Sequence, residues 1–409
     1  MIFTGFHPNI YKKDVKIACS YLFLPWKWFS WKEGKNISKV EEFLQDYFEI
    51  KYAITFDSGR TALQKALETL DLKHGDEVLV QSYTCMVVSN AINWAHAKPV
   101  YVDIDDDFNM STIDLENKIT PKAKVLIIQH TFGLASKLDQ LLEIARRHNL
   151  IVIEDCAHAF GANYNNKKLG TFGDMAMFSF GSDKVLSSSR GGAVITNDDK
   201  FGEKLMSLNK DLPKSGLIKI KQNLLNFPIF YLGKKLYDIK VGKIILSLAK
   251  KLNISGKIMY KQEKEGRKVE FYPSKYPNAL AAILLHQLKK VEEMNKHRQE
   301  IAKIYDENLN SYKIIKPKMT NDSIFLRYTI LTNKAKDLRQ IAKQHKIILG
   351  NWYDTVIAPR DIDLNMSGYK KNSCPNAEKL APKSLNLPTN KDITFKQAKM
   401  IAELINNNI

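Results

Sequence analysis

The stretch IVIEDCAHAFGANYNNKKLGTFGDMAMFSFGSDKVLSSSRGGAVITND, residues 151–198, carries three short apolar runs and most of the reactive side chains between them. IVIED, MAMFSF and GGAVIT are too short for helices and are bounded by turn residues, so each reads as a buried strand. Glu154 and Asp155 close the first run. A carboxylate there is costly to desolvate unless a cation or a hydrogen-bond donor meets it, although Asp is also a favoured helix cap. His158 follows three residues later, on the same side of a helical turn. Lys184 sits between the second and third runs, in a turn of serines and glycines. Most loop lysines are simply solvated. An amine held between two buried strands is also well placed to reach a carbonyl carbon.

Outward from this stretch, helix and strand patterns alternate. YAITFDSG, EVLVQSYT, PVYVDID and KVLIIQH read as strands, while ISKVEEFLQDYFEI, RTALQKALETLDL, SNAINWAHA and SKLDQLLEIARRHN read as helices. Strands separated by helices of this length imply right-handed crossovers and a mainly parallel sheet. The expected fold class is α/β, with a large mainly parallel-sheet domain over residues 38–200. An aromatic, basic segment (1–37) precedes it. A basic, helical insertion (201–270) and a smaller C-terminal α/β domain (271–409) follow, the latter entered by one long helix over 278–309.

The 409-residue chain has a formal charge of +18, which favours anionic partners: a phosphorylated substrate, a membrane surface or a nucleic acid. No zinc-finger, aromatic RNA-binding or helix-turn-helix signature accompanies it, so nucleic acid is not expected. The four cysteines are scattered, with no CxxC pair, which points away from a disulfide framework or a structural metal and suits a reducing cytoplasm. The apolar run at 17–30 is broken by Pro25 and Lys27 and is shorter than the roughly 20 residues a membrane-spanning helix needs. Within the insertion, Val241, Ile245, Leu248 and Leu252 fall at helical spacing with Ile244 beside them and Lys243, Lys250 and Lys251 around them. This pattern suits a face packed on the rest of the protein, a lid over the substrate, or peripheral contact with an anionic membrane surface, to which the aromatic patch of Phe23, Trp26, Trp28 and Phe29 would add.

DSGRTAL, residues 57–63, is a strand-to-helix turn whose freed backbone amides form an anion site. A phosphate cradle, a strand-end carboxylate and a turn lysine, in that order on one α/β domain, are what pyridoxal phosphate (PLP) requires. At these motifs the chain resembles the DegT/StrS family of PLP-dependent sugar aminotransferases, of fold type I. The resemblance runs through FDSGRTAL, GDEVLVQSYTCMVVSNAI, PVYVDID, residues 154–192 and CPNAEKLAPKSLNLP.

That resemblance implies roles. Lys184 would hold the cofactor covalently and move the proton, and Asp155 would keep the pyridine nitrogen protonated. His158 would lie near the ring hydroxyl, and Ser58, Gly59, Arg60, Thr61 and Ser179 would bind the phosphate. The small residues around Lys184 would leave room for cofactor and sugar. Cys85 stands where many members carry an aromatic that stacks on the ring, and Tyr83 is the candidate substitute. Arg60 replaces a common threonine, Arg190 a common glutamate, and Pro273 an asparagine that reaches the neighbouring subunit's phosphate. The implied activity transfers an amino group, from a donor such as glutamate, to a keto group of a nucleotide-linked sugar, in a homodimer. The alternatives are a PLP-dependent sugar dehydratase, which goes with loss of the lysine, and a non-catalytic membrane-associated or regulatory protein keeping the fold.

Overall fold

Strand β1 (Tyr52–Phe56) begins a series that continues with β2 (Glu77–Gln81), β3 (Lys98–Val102), β4 (Ala123–Gln129), β5 (Ile151–Asp155), β6 (Met175–Ser179) and β7 (Gly192–Thr196). The structure, a computed structural model, describes residues 1–5 and 9–409. The seven strands form one sheet in the order β1-β7-β6-β5-β4-β2-β3. β7 runs antiparallel to both neighbours, and the remaining pairs are parallel. Their near-continuous apolar sequence follows from burial on both faces.

Register then decides what shares an edge. Gly192 pairs with Phe56 on one side and with Ser179 on the other. Asp155 pairs with Met177 and with Gln129. The turn after Phe56, the start of β7, Ser179, Asp155 and Gln129 therefore meet at the carboxyl edge of the parallel strands, where α/β sheets place ligands.

One face of the sheet is covered by α1 (Lys12–Phe23), α2 (Lys35–Phe48), α4 (Leu217–Lys235) and α5 (Asn278–Leu288), whose Leu22, Leu44, Ile220 and Leu284 join one core. The other face packs on α3 (Gly59–Glu68), which presents Ala62, Leu63, Ala66 and Leu67. A third core, with Tyr305, Tyr328, Leu338, Leu385 and Ile401, lies around the antiparallel pair Tyr328–Leu331 and Ser384–Leu387.

One sequence expectation changes in the structure. The long helix over 278–309 is two helices, α5 and Val291–Asn308, because Lys290 leaves helical geometry (φ −117°, ψ 5°). The first is buried nearly all round, whereas the second is amphipathic, so one straight rod would not suit both. Described parts of the N-terminal segment join the rest of the chain. Ile2–Phe3 pairs with Ile347–Ile348, and Trp31 is buried with its indole N–H on the Tyr21 carbonyl at 2.8 Å. Within the basic insertion, α4 contributes Ile220, Leu224 and Phe227 to the main core, so this helix is structural.

Candidate active site

A cleft of about 520 Å³ opens at the carboxyl edge. Ser58, Gly59, Arg60, Cys85, Asp155, His158, Ser179 and Lys184 all line it. Thr61 and Tyr83 stand behind its wall.

The cradle is built at the start of α3. Ser58 is the N-cap, extended at φ −162° and ψ 158°, and its hydroxyl accepts the Thr61 amide at 3.3 Å. A Cβ added at Gly59 would meet Ser179 Cβ at 2.8 Å, and one at Gly192 would meet the Gly59 nitrogen at 2.5 Å. Glycine at both positions lets three chain segments close on one point and leaves the first turn of α3 facing the cleft, the arrangement that suits an anion. Thr61 turns its hydroxyl inward to Asp57 Oδ1, 2.5 Å away, and so supports the cradle from beneath.

The two strand-end acids separate into different tasks. Glu154 is fully buried and accepts the amides of Gly170 (2.9 Å), Phe172 (2.7 Å) and Gly173 (2.9 Å), with His130 Nε2 at 3.1 Å. Burial raises its pKa, but the His130 bond and charge and the Gly173 and Gly170 amides outweigh it and hold the carboxyl below its ordinary value. Glu154 therefore fixes the loop at 170–173. Asp155 accepts the Ala157 amide at 3.0 Å. Burial pushes its pKa up, while that amide and the Lys184 charge pull against the rise. It is the acid that the cleft can use.

His158 lies parallel to the Phe132 ring at 5.8 Å and accepts the Phe132 amide at Nδ1, 3.4 Å away. Burial, and then the charges of Lys184 and Arg327, hold its pKa well below the usual value, so the ring is neutral with its proton on Nε2. The Lys184 turn closes through its own amide on the Gly181 carbonyl at 3.2 Å. Its serines do more than leave space. The Ser187 amide donates to Gln287 Oε1 at 2.7 Å, and Tyr276 donates its hydroxyl to Ser188 Oγ at 2.6 Å. These bonds moor the turn to residues far along the chain.

The expectation for Tyr83 is corrected. Its ring stacks on Phe108 at 4.9 Å and its hydroxyl accepts the Tyr353 amide at 3.2 Å, behind the cleft. The aromatic side chains on the wall are Phe230, Trp352 and Tyr353, whose long-range placement left no signal in the motifs. Arg60 also differs from expectation. It donates to the Tyr272 hydroxyl at 3.0 Å and the Ile258 carbonyl at 2.7 Å, and it pairs with buried Glu263. Its guanidinium ties α3 to the insertion.

Residues 23–216 and 245–406 match the DegT/DnrJ/EryC1/StrS aminotransferase family model. The chain belongs to this family. A GDP-perosamine synthase of Escherichia coli O157:H7 is 30% identical over 385 residues, 93% of this chain and 91% of that protein. A UDP-N-acetyl-3-dehydro-α-D-glucosamine 3-aminotransferase of Acidithiobacillus ferrooxidans is 39% identical over 161 residues, 39% of this chain and 44% of that protein. Among solved structures, Bacillus subtilis NtdA with bound cofactor PMP superposes with a TM-score of 0.77 at 21% identity, covering 99% of this chain and 84% of that one.

This aminotransferase departs from the family model over residues 217–244, between the two matched stretches. Ile229 and Phe230 of α4 line the cleft, as do Leu246, Ala249 and Lys250 of the helix Val241–Lys251 and residues 255–259 after it. Of these, only Ile229 and Phe230 lie in the stretch that the family model leaves out, so that stretch contributes part of the wall.

Proposed function

We propose that the chain binds pyridoxal phosphate through Lys184 and transfers an amino group from an amino-acid donor such as glutamate to a keto group of a nucleotide-linked sugar, for surface polysaccharide or a glycosylated metabolite. The observation that carries this reading is the grouping of Asp155, Lys184 and the Ser58-Gly59 cradle around one cleft. The relative whose name specifies a UDP-linked 3-dehydro sugar supports the substrate class.

When bound, the cofactor supplies an electron-withdrawing ring that stabilises charge on the substrate carbon. Asp155 would keep the proton on the ring nitrogen, which would give this carboxylate, whose pKa burial raises, a cationic partner. Lys184 Nζ would form the covalent link and then carry the proton to and from the reacting carbon. Ser58, Gly59 and Ser179 would hold the phosphate. Neutral His158 would donate from Nε2 on the opposite side to its Phe132 contact.

Borohydride reduction of the pigmented protein followed by peptide mapping tests the assignment. The label is expected on Lys184, and Lys184→Ala should fold but stay colourless. A label on another lysine, or wild-type protein that takes up no cofactor, would overturn it.

We further propose that the protein works at the cytoplasmic face of an anionic membrane as a peripheral protein. No helix among the described residues is long and apolar enough to cross a membrane. Val241, Ile244, Leu248 and Leu252 are exposed on a lysine-bearing helix, and Phe29 is 94% exposed beside exposed Trp26 and Trp28.

A further inference from the structure

Two guanidinium groups pack on the ring of Tyr272, with Arg190 Cζ 4.4 Å and Arg60 Cζ 5.5 Å from its centroid. Both side chains line the cleft, and after burial the Arg190 charge also lowers the Arg60 pKa. Their partners differ. The donors of Arg60 are taken by Tyr272, Ile258 and Glu263. Arg190 Nη2 is buried and has no hydrogen-bond partner. Asp57 Oδ2 forms an ion pair with it at 3.6 Å, too long for a hydrogen bond, and Asp57 Oδ1 already receives the Thr61 hydroxyl. Burial lowers the Arg190 pKa, but Tyr272 and Asp57 outweigh it and raise the value, so the charge is met while the Nη2 donor is not.

A buried guanidinium N–H left without a hydrogen bond is costly even beside an ion pair, so an unfilled donor of this kind on the wall of a binding cleft calls for an acceptor such as an anionic ligand. Position says which anion. Arg190 stands two residues before Gly192, whose Cα faces the Gly59 nitrogen at the first turn of α3. The arginine therefore flanks the backbone cradle formed by Ser58 and Gly59, where the amides of a helix N-terminus already favour negative charge. A guanidinium adds a planar fork that matches phosphate oxygens.

We infer that Arg190 is a ligand of the cofactor's phosphate, supplied from the same chain as Lys184, and that Arg60 positions it by anchoring Tyr272 and the insertion to α3. This rests on the cofactor reading above. It adds a residue that no family motif marks, and it fills the phosphate side without a side chain from a second subunit.

The test compares apoprotein binding of pyridoxal phosphate with that of pyridoxal, which lacks the phosphate, by absorbance titration of wild type and Arg190→Gln. The expected result is a loss of affinity for pyridoxal phosphate on the order of 10- to 100-fold, with pyridoxal affinity unchanged. Equal effects on both aldehydes, or none on either, would overturn the inference and leave Arg190 a structural residue. Should Arg190→Gln not fold, Arg190→Lys retains the cation, and the same selective, smaller loss is expected there; equal losses again overturn it. Wild type that binds neither aldehyde fails the cofactor reading instead, which keeps the two outcomes distinct.

Discussion

Asn9 donates its side-chain amide to the Lys184 carbonyl at 2.6 Å and to the Val185 carbonyl at 3.0 Å. A residue 175 positions earlier in the chain thereby fixes the backbone of the turn that carries Lys184. Arg298, fully buried, adds a bond from Nη2 to the Val185 carbonyl at 3.0 Å. Burial lowers its pKa to about 10, which still leaves it charged at neutral pH. Asn9→Ala is expected to cost about 1–3 kcal/mol of stability through the unpaired Lys184 carbonyl, since Val185 keeps its Arg298 bond. It should also slow turnover while the borohydride label stays on Lys184. Thermal unfolding and labelling together check this, and unchanged stability would mean that the turn holds without Asn9.

Asp155 and Glu154 should respond oppositely to loss of charge. Burial raises the Asp155 pKa, so the ionised carboxylate opposes folding of the apoprotein at neutral pH. Asp155→Asn is therefore expected to raise the apoprotein melting temperature, by the equivalent of roughly 1–3 kcal/mol, while transamination falls on the order of 10²-fold or more. An apoprotein that melts lower, or a variant with near-normal turnover, would make Asp155 a structural cap.

Glu154 has its pKa held down, so its stabilising contribution is present above the ordinary glutamate value of 4.5 and is lost as pH falls through the lower folded-state value. Glu154→Gln keeps an acceptor for Phe172 and Gly173 but turns an amide donor on the Gly170 amide and His130, and should destabilise the protein by about 2–4 kcal/mol at neutral pH. Its stability should also vary less than that of wild type across the acid range. Denaturant titrations at several pH values measure both effects.

Membrane contact predicts a salt-sensitive partition. The intact protein should co-sediment with anionic vesicles at low ionic strength and less so at moderate salt, and Leu248→Glu combined with Leu252→Glu should release it without altering pyridoxal phosphate affinity. Leu248 and Leu252 are exposed, whereas Leu246 and Ala249 of the same helix line the cleft, so the change spares the site. Protein that stays in the supernatant at both salt concentrations would show that this exposed helix face is not a membrane surface.

Local patterns in the sequence determined the α/β class, the strand runs and the cradle, acid and lysine motifs, because strand burial and turn chemistry are written in neighbouring residues. IVIED and MAMFSF could be read as strands without knowing what they pair with. The sequence could not assign Glu154 and Asp155 to different tasks, since adjacent residues on a strand point to opposite faces and only the packed structure shows what each face meets. Nor could it place Trp352 and Tyr353 on the cleft wall, Tyr83 behind it, or Arg190 against Tyr272, all of which depend on contacts between distant segments. Asn9 beneath the Lys184 turn belongs to the same class. Local propensity names the elements, while the satisfaction of buried donors and charges, which requires partners from across the chain, is decided only when the whole fold closes.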